Sequence, residues 1–152
     1  MECLPLKYLG YTIVFQEVPD EISLAINISG CPYKCRGCHS QYLWEYRGNF
    51  ISEDLDSLLD KYKNYITCVC FMGGDQNIEE LKSLLERVKK AGLTTCLYTG
   101  REHLYDLKQI INVCDYIKCG KYDETLLTDN NIQYGVKLAS SNQKMYKKGI
   151  DY

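Results

Sequence analysis

The chain has 152 residues, enough for one domain with a sizeable core, and its 45% apolar and 25% charged residues are the balance of a globular protein. A formal net charge of −2 gives no pull towards nucleic acid or an anionic membrane, and no apolar run reaches the roughly 20 residues of a membrane helix. The start, Met1-Glu2-Cys3-Leu4-Pro5-Leu6-Lys7, lacks the basic head and long apolar stretch of a secretion signal, so export is not expected.

Ile22 to Ile28 is an apolar, β-leaning run and predicts a strand that delivers the chain to Ser29-Gly30 and a cysteine-bearing loop. Ser52 to Asn64 reads as a helix. Ser52 can cap it, Glu53 and Asp54 suit the positive end of the dipole, and Leu55, Leu58, Leu59 and Tyr62 recur at helical spacing. Thr67 to Met72 is a buried-type strand closed by Gly73-Gly74. Ile78 to Ala91 is a second helix, with Leu81, Leu84, Leu85 and Val88 on one face and Gly92 as its stop.

Thr94 to Tyr98 then reads as a strand, Arg101 to Asn112 as a helix and Tyr116 to Cys119 as a strand. A short strand candidate, Tyr134 to Leu138, follows a polar loop, and the basic tail with Lys144, Lys147 and Lys148 is expected to be a solvated end. Such alternation points to parallel βα units in a single α/β domain over 1–152, with about five or six mostly parallel strands. A closed eight-fold barrel takes about 250 residues, so a partial, open (β/α) barrel is expected, with an open side that admits a large substrate. Right-handed crossovers would gather the strand-to-helix loops at one sheet edge, where the cysteine loop and the turn Gly73-Gly74-Asp75 would face each other.

Nine cysteines is a high and odd count, which in a reducing compartment favours metal binding over disulfides. Cys3, Cys68, Cys70, Cys96, Cys114 and Cys119 are scattered, several in apolar strand-like runs, where a free cysteine acts as a small hydrophobe. Cys31, Cys35 and Cys38 lie together on a Gly/Pro-containing loop, and three thiolates at this spacing can converge on one soft metal. Two centres fit. An iron–sulfur cubane normally takes four cysteines, so three would leave one iron open to an external ligand. A structural zinc could take the three cysteines with His39, although His39 is adjacent to Cys38 and no second Cys-x-x-Cys pair is present.

The run Asn27-Ile-Ser-Gly-Cys-Pro-Tyr-Lys-Cys-Arg-Gly-Cys-His39 with Trp44 following resembles the cluster loop of the radical S-adenosylmethionine superfamily. Together with Phe71-Met-Gly-Gly-Asp75, Cys119-Gly-Lys-Tyr122 and Ser140-Ser-Asn-Gln143, in that order, the chain is similar to the activating proteins of anaerobic ribonucleoside-triphosphate reductase. The resemblance implies a 4Fe-4S cluster on Cys31, Cys35 and Cys38, with S-adenosyl-L-methionine on its open iron. Gly37, Cys38 and His39 would meet the nucleoside, and Gly73 and Gly74 would let the backbone approach the cofactor. Asp75 stands where relatives carry glutamate, and Lys121 would neutralise the cofactor carboxylate. Tyr42, Trp44 and Tyr46 read as packing against the loop.

The implied activity is cofactor cleavage followed by hydrogen abstraction from one glycine of the anaerobic reductase, with cluster and cofactor rather than side chains doing the chemistry. Flavodoxin or ferredoxin would donate the electron. The expected location is the cytoplasm, with no nucleic-acid or membrane partner. Three other readings stay open at this point: an activase of another glycyl-radical enzyme, a small-molecule radical enzyme, and a non-enzymatic zinc-binding interaction module.

Overall fold

The computed structural model describes residues 3–31 and 41–152. The strands are β1 (Lys7–Val14), β2 (Ser23–Ile28), β3 (Asn49–Phe50), β4 (Cys68–Met72), β5 (Thr94–Tyr98), β6 (Tyr116–Cys119), β7 (Ile132–Gln133), β8 (Val136–Lys137) and β9 (Lys144–Lys147). The helices are α1 (Ile51–Tyr62) and α2 (Ile78–Lys90). Seven strands form one sheet in the order β3-β1-β2-β4-β5-β6-β9, and β7 pairs with β8 in a separate hairpin.

β2, β4, β5 and β6 are parallel neighbours, as the alternation predicts. β1, β3 and β9 add antiparallel pairings that the sequence did not suggest. The architecture is therefore a mixed, seven-stranded α/β sheet with β3 and β9 as open edges, and no closed barrel forms among the described residues. β1 escaped notice because Gly10 breaks its pattern: the register against β2 shifts between Tyr8 and Tyr11, and Gly10 sits at φ +105°. The basic tail keeps Lys144 and Lys148 exposed, as expected of a solvated end, but it is also ordered as a strand. Lys144 and Lys147 belong to edge strand β9, which buries Met145 beside β6.

Strand alternation sorts the side chains onto two faces. Ile26, Phe71, Leu97 and Ile117 share one row, which the leucines of α1 and α2 cover to form the larger core. On the other face Ala25, Cys70, Cys96 and Tyr116 make a row, with Asn27, Met72, Tyr98 and Lys118 in the next row towards the C-terminal strand ends. Val18, Val136, Leu138 and Met145 cover the cysteine row of this helix-free face. The hairpin thus occupies part of the open side expected for substrate.

Three local expectations change. No side-chain cap bond is made at the start of α1, whose N-cap is Phe50 rather than Ser52. The segment expected as a helix over Arg101 to Asn112 instead holds two 3-10 turns, Leu104–Leu107 and Ile111–Val113. Its apolar residues explain this: Leu104, Leu107, Ile110 and Val113 recur every three residues, the period of a 3-10 turn, and all pack into the larger core. The strand candidate Tyr134 to Leu138 begins in a turn, with Tyr134 at φ 51° and Gly135 at φ 82° joining β7 to β8.

Two motifs from opposite ends of the β6–β9 connection meet. Gly120 lies at φ +101°, and a Cβ there would sit 3.0 Å from both the Asn142 carbonyl oxygen and the Gln143 Cα. Asn142 donates to the Lys121 carbonyl (2.9 Å) and Gln143 to the Gly120 carbonyl (3.3 Å), so Cys119-Gly-Lys-Tyr122 and Ser140-Ser-Asn-Gln143 lock to each other. Gly92 shares the left-handed backbone, at φ +82°, but its Cβ would meet nothing within 4 Å. Gly92→Ala should therefore lower stability by about 1 kcal/mol through backbone strain alone. Gly120→Ala should lower it by about 2–4 kcal/mol, with the crowding added. Urea unfolding of the two variants checks this, and equal losses would show that the lock contributes nothing.

Candidate functional site

The parallel strands end at one edge of the sheet, and the cysteine loop leaves from it. Ser29, just after β2, is held by three partners. Its N–H donates to the Lys7 carbonyl (2.9 Å), the Arg47 N–H donates to its hydroxyl (3.1 Å), and the Gln76 amide donates to its carbonyl (3.0 Å). The N–H groups of Gly30 and Cys31 then both donate to the Leu43 carbonyl, at 2.7 and 3.0 Å. Cys31 and Leu43 are thereby pinned side by side as the two stems of the loop, with the Cys31 thiol half-buried. Cys35, Cys38, Gly37 and His39 lie outside the described residues.

Across from this stem is the turn after β4. Gly73 and Gly74 adopt φ +98° and +115°, a left-handed pair open to glycine. The Gly73 N–H donates to the Tyr98 carbonyl (2.9 Å) and the Gly74 N–H to the Gln76 side-chain oxygen (3.1 Å). Since the same Gln76 amide also holds the Ser29 carbonyl, one side chain couples the glycine turn to the stem of the cysteine loop. A Cβ on Gly74 would point at Leu81 (3.2 Å), so internal packing as well as backbone conformation accounts for glycine there.

Asp75 and Lys121 are placed differently from a pair of ligand contacts. The Asp75 side chain is 4% exposed and accepts from Arg101 Nε at 2.8 Å, while Arg101 also donates to the Asp75 carbonyl at 3.0 Å. Arg101 in turn offers its own carbonyl to the Gly120 N–H (2.7 Å), so it joins the loops that follow β4, β5 and β6. Lys121 is exposed. Lys118 and Arg101 are the residues that sequence reasoning missed. Lys118 is 8% exposed on the helix-free face, donating to the Gly120 carbonyl (2.8 Å) with its ammonium 5.3 Å from the Tyr98 ring centre. A cleft of about 270 Å³ opens there, lined by Tyr98, Lys118, Leu138 and Gln143 among others. The legible signal was a lysine inside the apolar strand run Tyr116-Ile-Lys-Cys119.

The scattered cysteines divide by burial. Cys68, Cys70, Cys96, Cys114 and Cys119 are at most 1% exposed, whereas Cys3 is exposed. Burial pushes the Cys119 thiol up to about 11 and the Cys114 thiol up to about 12, and it raises Cys68 and Cys96 as well. Neutral thiols in apolar surroundings are poor metal ligands and poor nucleophiles. Among the described residues no three His, Cys, Asp or Glu side chains gather as a metal site.

Two buried polar atoms among the described residues make no hydrogen bond of ordinary geometry, Ser23 Oγ and Trp44 Nε1. Ser23 is the register partner of Cys68, whose thiol offers it a weak contact. The Trp44 indole, next in sequence to the Leu43 carbonyl that holds Cys31, is left with a donor and no acceptor. Tyr46 packs as expected: its ring lies against Gly30, and its hydroxyl donates to the Pro5 carbonyl (2.6 Å).

Comparison with known families matches residues 22–146 to a model described as a 4Fe-4S single cluster domain. No curated protein and no solved structure matches the chain.

In native protein, thiol alkylation followed by mass spectrometry should label Cys3 and spare Cys68, Cys70, Cys96, Cys114 and Cys119 until denaturant is added. Rapid native labelling of any of the five would contradict their role as core residues. Removing the guanidinium from buried Asp75 in Arg101→Ala should lower stability by about 3 kcal/mol, whereas Lys121→Ala should stay within about 0.5 kcal/mol of the parent. Thermal melts of the two variants separate these outcomes.

Proposed function

The chain belongs to the family of 4Fe-4S single-cluster domains, and from that premise we propose that it is a radical S-adenosylmethionine activating enzyme for anaerobic ribonucleoside-triphosphate reductase. The carrying observation is the Gln76 bridge, which couples the stem of the cysteine loop to the glycine turn at one sheet edge. Cys31, Cys35 and Cys38 would hold the cluster, and zinc loses ground because the family is an iron–sulfur one. When bound, the cluster supplies the electron that cleaves S-adenosyl-L-methionine.

The chain's own residues bind and orient. Both N–H groups of Gly73 and Gly74 are already engaged, so what this turn offers a ligand is carbonyl oxygen, an acceptor suited to an ammonium group. Lys118, buried at the strand-end side of the helix-free face, is better placed than exposed Lys121 to meet an anionic group. Asp75 takes a positioning role through Arg101 rather than a ligand contact. Gly37 and His39 complete the nucleoside contacts on this reading.

The substrate is a glycine of the anaerobic reductase, with flavodoxin or ferredoxin as reductant, in the cytoplasm, where an exposed cluster and free thiols persist. No helix among the described residues is long and apolar enough to cross a membrane. A reactive radical requires the glycine at contact distance, so the partner's glycine loop must enter beside the glycine turn.

Cys31→Ala, Cys35→Ala and Cys38→Ala should each abolish iron and sulfide uptake on anaerobic reconstitution, while Cys114→Ser retains it. The reduced parent protein, given S-adenosylmethionine and the reductase, should yield a paramagnetic doublet located on the reductase. Cofactor cleavage without that doublet would remove the partner assignment. Iron binding without cofactor cleavage would remove the radical chemistry.

A further inference from the structure

Edge strand β1 carries an inference about assembly, drawn from the half of the strand that lies away from the Cys31 stem. We propose that a second copy of this chain pairs antiparallel with β1 about a two-fold axis at Thr12, joining the two sheets into one.

β3 pairs only with Lys7 and Tyr8, so from Leu9 to Val14 β1 itself is the edge of the sheet among the described residues. Which of its backbone groups face outward follows from strand alternation. The Ile22 carbonyl accepts from the Cys68 N–H (3.2 Å) on the β4 side, so Ser23 and Ala25 turn their backbone groups towards β1. Their register partners there are Val14 and Thr12. Tyr11 and Ile13 therefore direct N–H and C=O away from the sheet. The register is regular from Tyr11 to Val14, past the irregularity at Gly10.

An exposed row of this kind is a template for another strand, and natural edges are usually blunted. β9 is blunted in this way. Its outward Met145 N–H donates to the Gln133 side chain (2.8 Å) and its Lys147 N–H to Asp151 (2.8 Å), while the Lys147 carbonyl accepts from the Asp151 N–H (2.8 Å). Lys144 and Lys147 add charge to that edge. Beyond Lys7, β1 has no such guard. Gly10 to Gln16 is uncharged, free of proline and rich in β-branched and aromatic residues, with Thr12 exposed and Phe15 68% exposed.

The sequence of β1 also fits its own copy. With Thr12 opposite Thr12 of the second copy, Tyr11 faces Ile13 and Ile13 faces Tyr11. The outward N–H and C=O groups of each residue then meet those of the other. Thr–Thr and aromatic–β-branched pairs are both favourable across strands. The same register brings exposed Phe15 beside Leu9 and sets Lys7 against Glu17 of the other copy, at both ends of the pairing. That charge complementarity, made twice by a closed two-fold, favours a second copy over an unrelated strand.

The test is sedimentation velocity on the full chain, kept anaerobic, across a range of concentrations. The parent should sediment as a dimer that dissociates on dilution. A monomer at every concentration, or open-ended growth, overturns the proposal. Thr12→Lys and Thr12→Glu each alter an exposed side chain at the non-hydrogen-bonded pair, where opposing side chains lie closest. Each alone sets like charges against each other and should lose the dimer. Mixed in equal amounts, the two should recover it as a heterodimer, which damage to the fold would not allow. A dimer retained in both single variants, or no recovery on mixing, overturns the pairing. If either variant fails to fold, hydrogen exchange on the parent decides. The Tyr11 and Ile13 amides should gain protection as concentration rises through dimerisation, and unchanged protection overturns the proposal.

Discussion

Parallel hydrogen bonding among β2, β4, β5 and β6 is the constraint on which the site depends. Strands that run the same way must each be returned by a crossover, so the segments leaving their C-terminal ends collect on one edge. That edge receives the stem of the cysteine loop, the glycine turn, the segment around Arg101 and the Gly120 turn. Their relative positions are then set by a few side chains. Gln76 spans from β4 to β2, and Arg101 spans from the loop after β5 to Asp75 on one side and Gly120 on the other.

The two faces of the sheet serve different ends. The face under α1 and α2 is filled with large aliphatic side chains and Phe71, and its burial is the main source of stability. The opposite face has no helix over it and uses smaller residues, Ala25, Cys70 and Cys96, beneath the β7–β8 hairpin. Cysteine here is a compact apolar filler. The hairpin reaches the cysteine row and leaves a cleft near Tyr98 and Lys118, so the accessible part of this face lies towards the strand ends that carry the site.

Polar groups on the inside mark where the fold departs from simple packing. Asp75 is buried with its countercharge supplied by Arg101, which ties the glycine turn to two other loops. Lys118 keeps its ammonium within reach of the Gly120 carbonyl and the Tyr98 ring. Ser23 Oγ and Trp44 Nε1 differ from both, since each is buried with no hydrogen-bond partner of ordinary geometry among the described residues. Groups whose needs the polypeptide meets hold the framework together.

The sequence by itself determined the local elements whose signals are self-contained. α2 follows from its leucine spacing and the stop at Gly92, and β4, β5 and β6 follow from short apolar runs bounded by turn residues. The metal chemistry was legible for the same reason, because the cysteine spacing is a local pattern, and the family match to a 4Fe-4S domain agrees with it. Only the tertiary structure decided what depends on partners distant in sequence. β1 and β9 become strands because β2 and β6 offer them edges, overriding a glycine in one and a run of lysines in the other. The segment after β5 takes 3-10 turns because the core it packs against accepts a three-residue period. The motif offered Asp75 as a cofactor contact, and only the fold reveals its ion pair with Arg101, 26 residues away in the chain. Such pairings are properties of the folded geometry, which short-range sequence patterns do not encode.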